Sequence, residues 1–406
     1  MKKVTNHLSF IICANLMLSQ ATWAGNWNKS TTSVSEPIFS EYFYGNTVGE
    51  KSCVMTPTFF GTFTLKPVNV SLKLVSEVVG FDWAAEHARV GTSLSVNHEK
   101  ISKPARELFA LSQHAMQTAD PQLKTQVKKL IVDIAEANTI LNSPTLKDTR
   151  SKGGLCYGDG NDTKAICRFH TPLFAMQFGT NYLIASSLLK NDMTAKEQKV
   201  VEQYADKLYQ NFSRPMFAHM NKQKSQFSQL ANGGIAVLAH AYWKKDKKLA
   251  QQTFNLIFEN IDRVFMPDGY IKGTSFRGVR GFWYHTYGTN SALAVIALAD
   301  LWKTKPPPQV LDKVKKATAL INVGIKDIKQ FYSRPDPDGK QRNASYDEKD
   351  ARHHVHQMAI GIAHLAKLAV GEVININADT EYKQKMPSEY PSDFTIGFNS
   401  NYITAK

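Results

Sequence analysis

Apolar periodicity is the feature that most restricts how this 406-residue chain can fold. From about Pro104 onward, apolar residues recur every three or four positions in successive segments, which indicates amphipathic helices. The segments between them carry Pro, Asp, Asn and Gly, which end helices and form turns. The predicted helices are 104–117, 122–141, 172–189, 196–212, 227–243, 248–264, 289–302, 309–331 and 351–370.

Helices joined by short turns predict antiparallel hairpins, arranged either as a solenoid or as an α/α toroid. Because no repeat of fixed period is present, an open solenoid of regular units is disfavoured. We therefore expect an all-α fold: an α/α toroid, an incomplete helical barrel of antiparallel helix hairpins, with a loop-rich N-terminal arm. Residues 1–24 are expected to be a signal peptide, 25–100 the arm and first helices with a short strand around 59–65, 101–378 the toroid, and 379–406 a C-terminal tail.

The N-terminus indicates export. Lys2 and Lys3 precede a mostly apolar run over 8–18, and Thr22 and Ala24 are the small residues of a cleavage site after Ala24. The apolar run is too short to cross a bilayer, so no stable membrane insertion is expected. The mature protein is predicted to be periplasmic or secreted.

The charge balance suggests the kind of partner. Lys and Arg number 49 against 35 Asp and Glu, a formal net charge of +14, which favours association with polyanions. For an exported protein the available polyanions are acidic glycans, lipid head groups and free nucleic acid. Together with the resemblance described below, we expect an acidic polysaccharide as the partner and no nucleic acid, and we expect a monomer.

Three cysteines remain after removal of the signal peptide. Cys156 and Cys167 flank a Gly- and Asp-rich stretch and are the expected disulfide, with a bond from Cys53 to either of them as the open alternative. The tract His353-His354-Val-His356 is a poor ligand set for a metal, because positions one and two apart on a helix do not share a face. No metal and no other cofactor are expected.

Residues 276–290 form the segment richest in chemically useful side chains. Arg277, Arg280, Trp283, Tyr284 and His285 lie there within nine positions, interpreted as a link between two helices. An arginine offers a planar fork to a carboxylate, and aromatic faces can stack on sugar rings. The segment therefore indicates a site for an acidic sugar.

The string Arg277-Gly-Val-Arg280-Gly-Phe-Trp-Tyr284-His285 resembles the Arg-Gly-x-Arg-x-x-x-Tyr-His motif of the periplasmic alginate lyases, α/α-toroid enzymes that cleave poly-mannuronate. An Asp-Gly turn precedes that motif in the family, and Asp268-Gly269 occupies the position here. The resemblance extends over roughly residues 190–305. It implies an α/α toroid and a polysaccharide lyase.

Carried over by residue, the resemblance implies Tyr284 as the catalytic tyrosine, Arg277 as the active-site arginine and Asn232 as the amide that neutralises the substrate carboxylate. The family's catalytic histidine would fall at Gly233, so this chain departs from the pattern there. Lys66 is the candidate for the family's N-terminal lysine.

These residues fit β-elimination on a 4-linked polyuronate. Removal of the C5 proton builds negative charge on the carboxylate, and hydrogen bonds or positive charge there stabilise it. Without the histidine, one tyrosine serves as base and as acid, which suits mannuronate because its C5 proton and C4 oxygen lie on one ring face. Further substrate contacts are expected from Arg280, Trp283, His285 and His240, with structural roles as the alternatives for the two histidines.

Two other functions remain open from the sequence. One is a non-catalytic, acidic-glycan-binding protein of the periplasm that has lost the family histidine. The other is a helical-toroid glycoside hydrolase, which needs two opposed carboxylates. Asp262, Asp268 and Glu259 are the nearby acids, and none has an evident partner in the sequence.

Overall fold

The structure is a computed structural model. It describes residues 68–70, 72–90, 100–101, 103–118, 120–148, 170–222, 227–337, 366, 369–374, 392–393, 397–398 and 403–405. The expected signal peptide, Lys66, the three cysteines at 53, 156 and 167 and the histidine tract at 353–356 lie outside the described residues.

The described part of the chain is predominantly helical. Its helices are α1 (Leu72–Ser76), α2 (Trp83–Val90), α3 (Lys103–Thr118), α4 (Pro121–Glu136), α5 (His170–Leu188), α6 (Ala195–Leu208), α7 (Arg214–Lys222), α8 (Phe227–Lys244), α9 (Lys247–Val264), α10 (Gly281–Leu301), α11 (Pro308–Lys326) and α12 (Ile328–Tyr332). The described strands are β1 (Val68–Val70), β2 (Ser392–Asp393), β3 (Gly397–Phe398) and β4 (Ile403–Ala405).

The helices form two layers. Helices α3, α5, α8 and α10 pack side by side in that order as an inner layer. Helices α4, α6 with α7, α9 and α11 lie behind them, each packed against the inner helix that precedes or follows it in the chain. This double-layered arc of hairpins agrees with the expected all-α fold, an incomplete α/α toroid.

Consecutive helices alternate in direction, because they pack together across short connections. The inner helices α5, α8 and α10 therefore all begin at one end of the arc and end at the other. Two hydrogen bonds support this arrangement at the far end: Lys190 Nζ donates to the Trp243 carbonyl at 3.1 Å, and Thr304 Oγ1 donates to Gln251 Oε1 at 3.1 Å.

The inner helices are buried on most of their surface. Helix α8 is buried at nearly every position from Phe227 to Trp243, and α10 is similarly enclosed. The outer helices are amphipathic, and N-terminal caps fix where they begin. Thr194 forms a reciprocal capping box with Glu197 at the start of α6, and Asp246 accepts from the Leu249 amide at the start of α9. No described helix is long and apolar enough to cross a membrane.

Helix boundaries differ from the sequence prediction in four main places. The helix predicted over 309–331 is divided at Asp327 into α11 and α12. Helix α4 ends at Glu136, before residues with positive φ at Asn138 and Ile140, rather than at 141. The helix predicted to end at 212 continues through a π-helical turn, Tyr209–Ser213, into α7. Helix α10 begins at Gly281, so most of the segment interpreted as a link is helical.

The strands bring the two ends of the described chain together. β1 pairs in parallel with β4, with Val68 opposite Ile403 and Val70 opposite Ala405, and β2 pairs antiparallel with β3. β1, β3 and β4 contact α3. The strand expected around 59–65 falls outside the described residues, and β1 begins at Val68.

A glycine turn fixes the connection that leads to α10. After α9, Phe265 bridges to Ile271 around the Asp268-Gly269 turn. Gly269 has φ +91°, and a Cβ there would lie 2.5 Å from the Lys316 carbonyl carbon and 2.6 Å from the Ala317 nitrogen, both backbone atoms of α11. Only glycine fits this close approach.

Replacement of Gly269 by alanine is expected to destabilise the protein by about 3 kcal/mol or more, because it adds a backbone clash to an unfavourable φ. Urea unfolding monitored by circular dichroism measures this. Gly273→Ala is the matched control: Gly273 has φ +67°, but a Cβ added there would have no atom within 4 Å, so the cost should fall to about 1 kcal/mol. Equal losses in the two variants would contradict the close approach.

Candidate functional site

Arg277 and Tyr284 lie against each other at the start of α10. Arg277 precedes the 3₁₀ turn Gly278–Arg280, and Gly278 takes φ +64°, which turns the chain back into the helix. The guanidinium carbon Cζ of Arg277 is 4.2 Å from the centroid of the Tyr284 ring. Both side chains are partly exposed. The seven-residue spacing thus places a cation on the face of an accessible phenol.

Aromatic rings extend this pair along the helix. Trp283 meets the Tyr284 ring edge-on, with centroids 4.5 Å apart, and stacks on Tyr287 at 5.6 Å with an interplanar angle of 27°. Trp283 is partly exposed, whereas Tyr287 is 7% exposed. The result is a continuous aromatic strip beside Arg277, with Arg280 exposed at the N-terminus of α10.

Asn232 reaches the same strip from α8. Its Nδ2 donates a short hydrogen bond to the Tyr287 hydroxyl, and the residue is 3% exposed. Within the described part of the chain its Oδ1 has no hydrogen-bond partner. Buried amide oxygens are nearly always satisfied by protein or water, so an ordered water or a ligand group is expected to complete the bonding of this shielded oxygen.

Tyr287 is the site residue that the sequence analysis missed. It lies three residues after Tyr284, a spacing that puts both rings on one face of a helix. The spacing is informative only within a helix, and the sequence analysis interpreted this segment as a link. A prediction that the helix begins at Gly281 would place Tyr284 and Tyr287 on the same face.

Gly233 faces away from this cluster. A Cβ on Gly233 would lie 3.2 Å from the Cα of Phe217 on α7, and one on Gly234 would meet Phe217 and Ile257 of the outer layer. Adjacent residues on a helix point about 100° apart, so 232 looks toward α10 while 233 looks toward α7. A histidine at 233 would have no room and would not join Asn232 and Tyr287.

The contacts of His285 fit the structural role that the sequence left open as the alternative to a substrate contact. His285 is 0% exposed, and its Nε2 lies 2.9 Å from the Ala317 carbonyl, which can only accept. Nε2 therefore carries the hydrogen, and Nδ1 accepts from Ser275 Oγ at 2.9 Å. Burial lowers the pKa of His285 to about 4, so the ring is a neutral link between α10 and α11.

His240 packs on the side of α8 away from the cluster, which fits its alternative structural role. The residue is 7% exposed, its ring stacks on Tyr209 at 4.0 Å, and its Nε2 lies 2.9 Å from Asp206 Oδ1. Both partners belong to the outer layer. Burial lowers the pKa of His240, an effect only partly offset by Asp206.

The acids near the site are occupied by cations. Asp268 accepts from Arg334 Nε, and Asp262 Oδ1 accepts from Lys313 Nζ at 2.7 Å. Glu259 is exposed on α9. Among the described residues, His, Cys, Asp and Glu side chains form no group of three that could hold a metal ion.

Substitution His285→Gln is expected to change how stability depends on pH. The pKa of His285 in the folded protein lies below its unfolded value near 6.5. Between these two pKa values the ring is therefore protonated in the unfolded chain and neutral in the folded one. The wild-type protein should therefore lose on the order of 3 kcal/mol as pH falls from about 6.5 to about 4, a loss absent in the glutamine variant. Urea unfolding at several pH values gives the difference between the two proteins; parallel curves would contradict a buried neutral ring.

Comparisons with known proteins give a weak overall similarity. No protein-family model and no curated protein sequence matches the chain. Among solved structures, alginate lyase A1-III complexed with a tetrasaccharide aligns in two variants. A histidine-to-alanine variant gives a TM-score of 0.48 at 10% identity over 80% of this chain and 86% of that one. A tyrosine-to-phenylalanine variant gives 0.46 at 10% identity over 80% and 88%. Function has to be inferred from this chain's own residues.

Proposed function

We propose that this protein is a polysaccharide lyase that cleaves a 4-linked polyuronate, such as mannuronate-rich alginate, by β-elimination. The observation that carries the proposal is the contact of the Arg277 guanidinium with the Tyr284 ring, 4.2 Å from its centroid, on the partly exposed start of α10. A phenol beside a fixed cation is the pair that this chemistry needs.

The reaction needs a base, an acid and charge stabilisation. The base removes the proton on C5, and the electrons of that C–H bond form the C4–C5 double bond. The C4–O bond then breaks, and its oxygen takes a proton to become a new hydroxyl. Negative charge develops on the carboxylate before the bond breaks, so donors aimed there lower the barrier.

Arg277, Arg280 and Asn232 supply those donors in the proposed complex. An arginine binds a carboxylate through two parallel N–H groups, and Arg280 is exposed for a second sugar acid. Asn232 keeps one N–H beyond its bond to Tyr287, together with an oxygen that lacks a described partner. The amide can therefore bind the substrate while Tyr287 holds its orientation.

Tyr284 is the proton-transfer residue in this proposal. It lies in the first turn of α10, at the helix end where the dipole favours negative charge, and Arg277 adds a full positive charge over the ring. The phenolate oxygen of Tyr284 takes the C5 proton, and the hydroxyl so formed passes that proton to the leaving O4, which restores the phenolate.

Substrate choice follows from the use of one residue for both proton transfers. Position 233 faces α7, so no side chain there can join the cluster, and in the proposal one tyrosine takes the proton from C5 and returns it to O4. This requires both atoms on the same face of the sugar ring, as in mannuronate. Guluronate places them on opposite faces and should react slowly or not at all.

Two alternatives differ in their support. A glycan-binding protein without turnover would keep the arginines and aromatic strip, and it remains the main rival. A glycoside hydrolase is less favoured, because Asp262 and Asp268 are each engaged by a cation instead of facing a common cleft.

The compartment is part of the proposal. The basic and apolar N-terminal residues support cleavage after Ala24 and a periplasmic or secreted protein. A monomeric state is part of the same proposal. Mass spectrometry of the protein exported from a bacterial host would test the cleavage position.

Tyr284→Phe is expected to abolish cleavage. Wild-type protein incubated with mannuronate-rich alginate should generate the ultraviolet absorbance of the unsaturated uronate, and removal of one hydroxyl should reduce that rate at least about 10³-fold. Tyr209→Phe, which removes the same group from a half-buried ring on the outer layer, should retain full rate. Reducing ends without absorbance would instead indicate hydrolysis, and binding without either would indicate the glycan-binding rival.

Arg277→Lys should separate the shape of the guanidinium from its charge. Lysine keeps the positive charge but loses the planar fork, so kcat/KM on alginate is expected to fall by about 10²-fold. Arg214→Lys, an exposed position on α7 that contacts Gln210, is the matched control and should leave kcat/KM unchanged. An unaltered Arg277→Lys enzyme would show that only net charge is needed.

A further inference from the structure

A second basic surface lies at the opposite end of the arc from Tyr284. Helices α5, α8 and α10 end there. The hydrogen bond from Lys190 to the Trp243 carbonyl joins the ends of α5 and α8, and the one from Thr304 to Gln251 joins the end of α10 to the beginning of α9. The turns at these helix ends carry the lysine edge, defined as Lys190, Lys244, Lys245, Lys247, Lys248, Lys303 and Lys305. All of these except Lys190 are exposed.

The acids at this end are largely engaged. Glu202 and Asp206 both bind Lys244, and Asp192 binds Lys124 at 2.9 Å. Asp246 is used as the cap of α9, and Asp300 adds one further exposed charge. The other lysines of the edge therefore have no described ion pair with these acids, and they face solvent as a positive strip.

Two lysines of the edge occupy backbone positions that favour glycine. Lys245 has φ 57° and Lys303 has φ 55°, and each follows the end of an inner helix. Both sit in the turn in which the next amide, of Asp246 or Thr304, bonds back across the last helical turn. A residue with a side chain is disfavoured in this left-handed conformation, so each of the two lysines occupies a position where glycine would cost less free energy.

Positive charges also crowd one another along the edge. The Lys190 ammonium lies 4.2 Å from the Trp243 ring centroid. Its pKa is lowered by burial and then by the charge of Lys245; Glu202 opposes these effects, and Lys244 adds the smallest lowering. Lys247 and Lys248 occupy the first turn of α9, where the helix dipole disfavours cations. A bound polyanion would relieve both conflicts.

We propose that the lysine edge is a second binding surface for a carboxylated polysaccharide strand, separate from the site at Tyr284. The identity of the glycan rests on the proposed function. The edge has lysines and no arginine, so it offers point charges along a strip, and these complement the repeated charge of a flexible carboxylated polymer. A membrane surface is disfavoured, because Val373 is the large apolar residue that the described chain exposes and it lies outside the edge.

The surface would hold a long polymer while the site at Tyr284 acts on another segment. Long-range attraction between the edge and the polymer raises the local concentration of substrate. Short oligosaccharides cannot occupy both places, so the edge should affect polymer binding and leave turnover of short substrates unchanged.

The double variant Lys245→Gly with Lys303→Gly tests the surface without risk to the fold. Glycine relieves the left-handed backbone, so the melting temperature should rise by about 1–3 °C while two charges disappear. In a Tyr284→Phe background, affinity electrophoresis in gels containing sodium alginate at low salt should show binding weakened about five- to ten-fold.

Lys315→Gln with Lys329→Gln is the matched control, since it removes two exposed charges from α11 and α12. Its alginate binding should stay within about two-fold of the parent. Equal weakening by both pairs would reduce the effect to net charge and overturn the proposal, as would unchanged binding by the glycine pair. Binding lost to phosphatidylglycerol vesicles but kept for alginate would assign the surface to membranes and also overturn it.

The same proteins distinguish this inference from the proposed function. With Tyr284 restored, the glycine pair should cleave a mannuronate tetrasaccharide at the parental rate. Cleavage together with undiminished polymer binding would contradict the second binding surface and support the lyase. Weakened polymer binding in a protein that never cleaves would contradict the lyase and support the second surface.

Discussion

The packing of α8 against α10 is the contact on which the candidate site depends. It brings an amide from one inner helix to a phenol on the next, through the hydrogen bond from Asn232 to Tyr287. Tyr287 in turn stacks on Trp283, whose edge meets Tyr284, and Arg277 closes the sequence of contacts. Four side chains from residues 277–287 are thereby oriented by a fifth from another part of the chain.

The second layer keeps that contact in register. Gly233 and Gly234 let α7 and α9 approach the back of α8, and Gly269 lets the turn before Arg277 lie on the backbone of α11. His285 ties α10 to α11 from the buried side, through Ser275 and the Ala317 carbonyl. The site is therefore exposed on one face of α10 and anchored on the other, so that polar groups can face a substrate without loosening the helix.

Sequence patterns are sufficient for the helices but not for the side of each helix that a residue occupies. Periodicity locates most helices to within a few residues, because the apolar residues of an outer helix lie on the one face that packs against the inner layer. It fails at the start of α10, because two glycines and four aromatic residues have low helix propensity and a buried helix has no polar stripe to reveal it. The spacing of Arg277 and Tyr284 is informative alone, whereas the burial of His285 and His240 and the role of Tyr287 depend on neighbours distant in sequence. Lys66 and the cysteines stay predictions.

The parallel pairing of β1 with β4 has a consequence for how the protein is made. Val68 precedes nearly all of the helical hairpins, and its partner Ile403 follows them. The hairpins are local in sequence and can form one after another as the chain emerges into the compartment where it folds. Among the described strands β1 has no partner during that time, so its edge stays open until residues 403–405 arrive and pair with it beside α3. Completion of the fold therefore waits for the last strand, whatever the order in which the hairpins form.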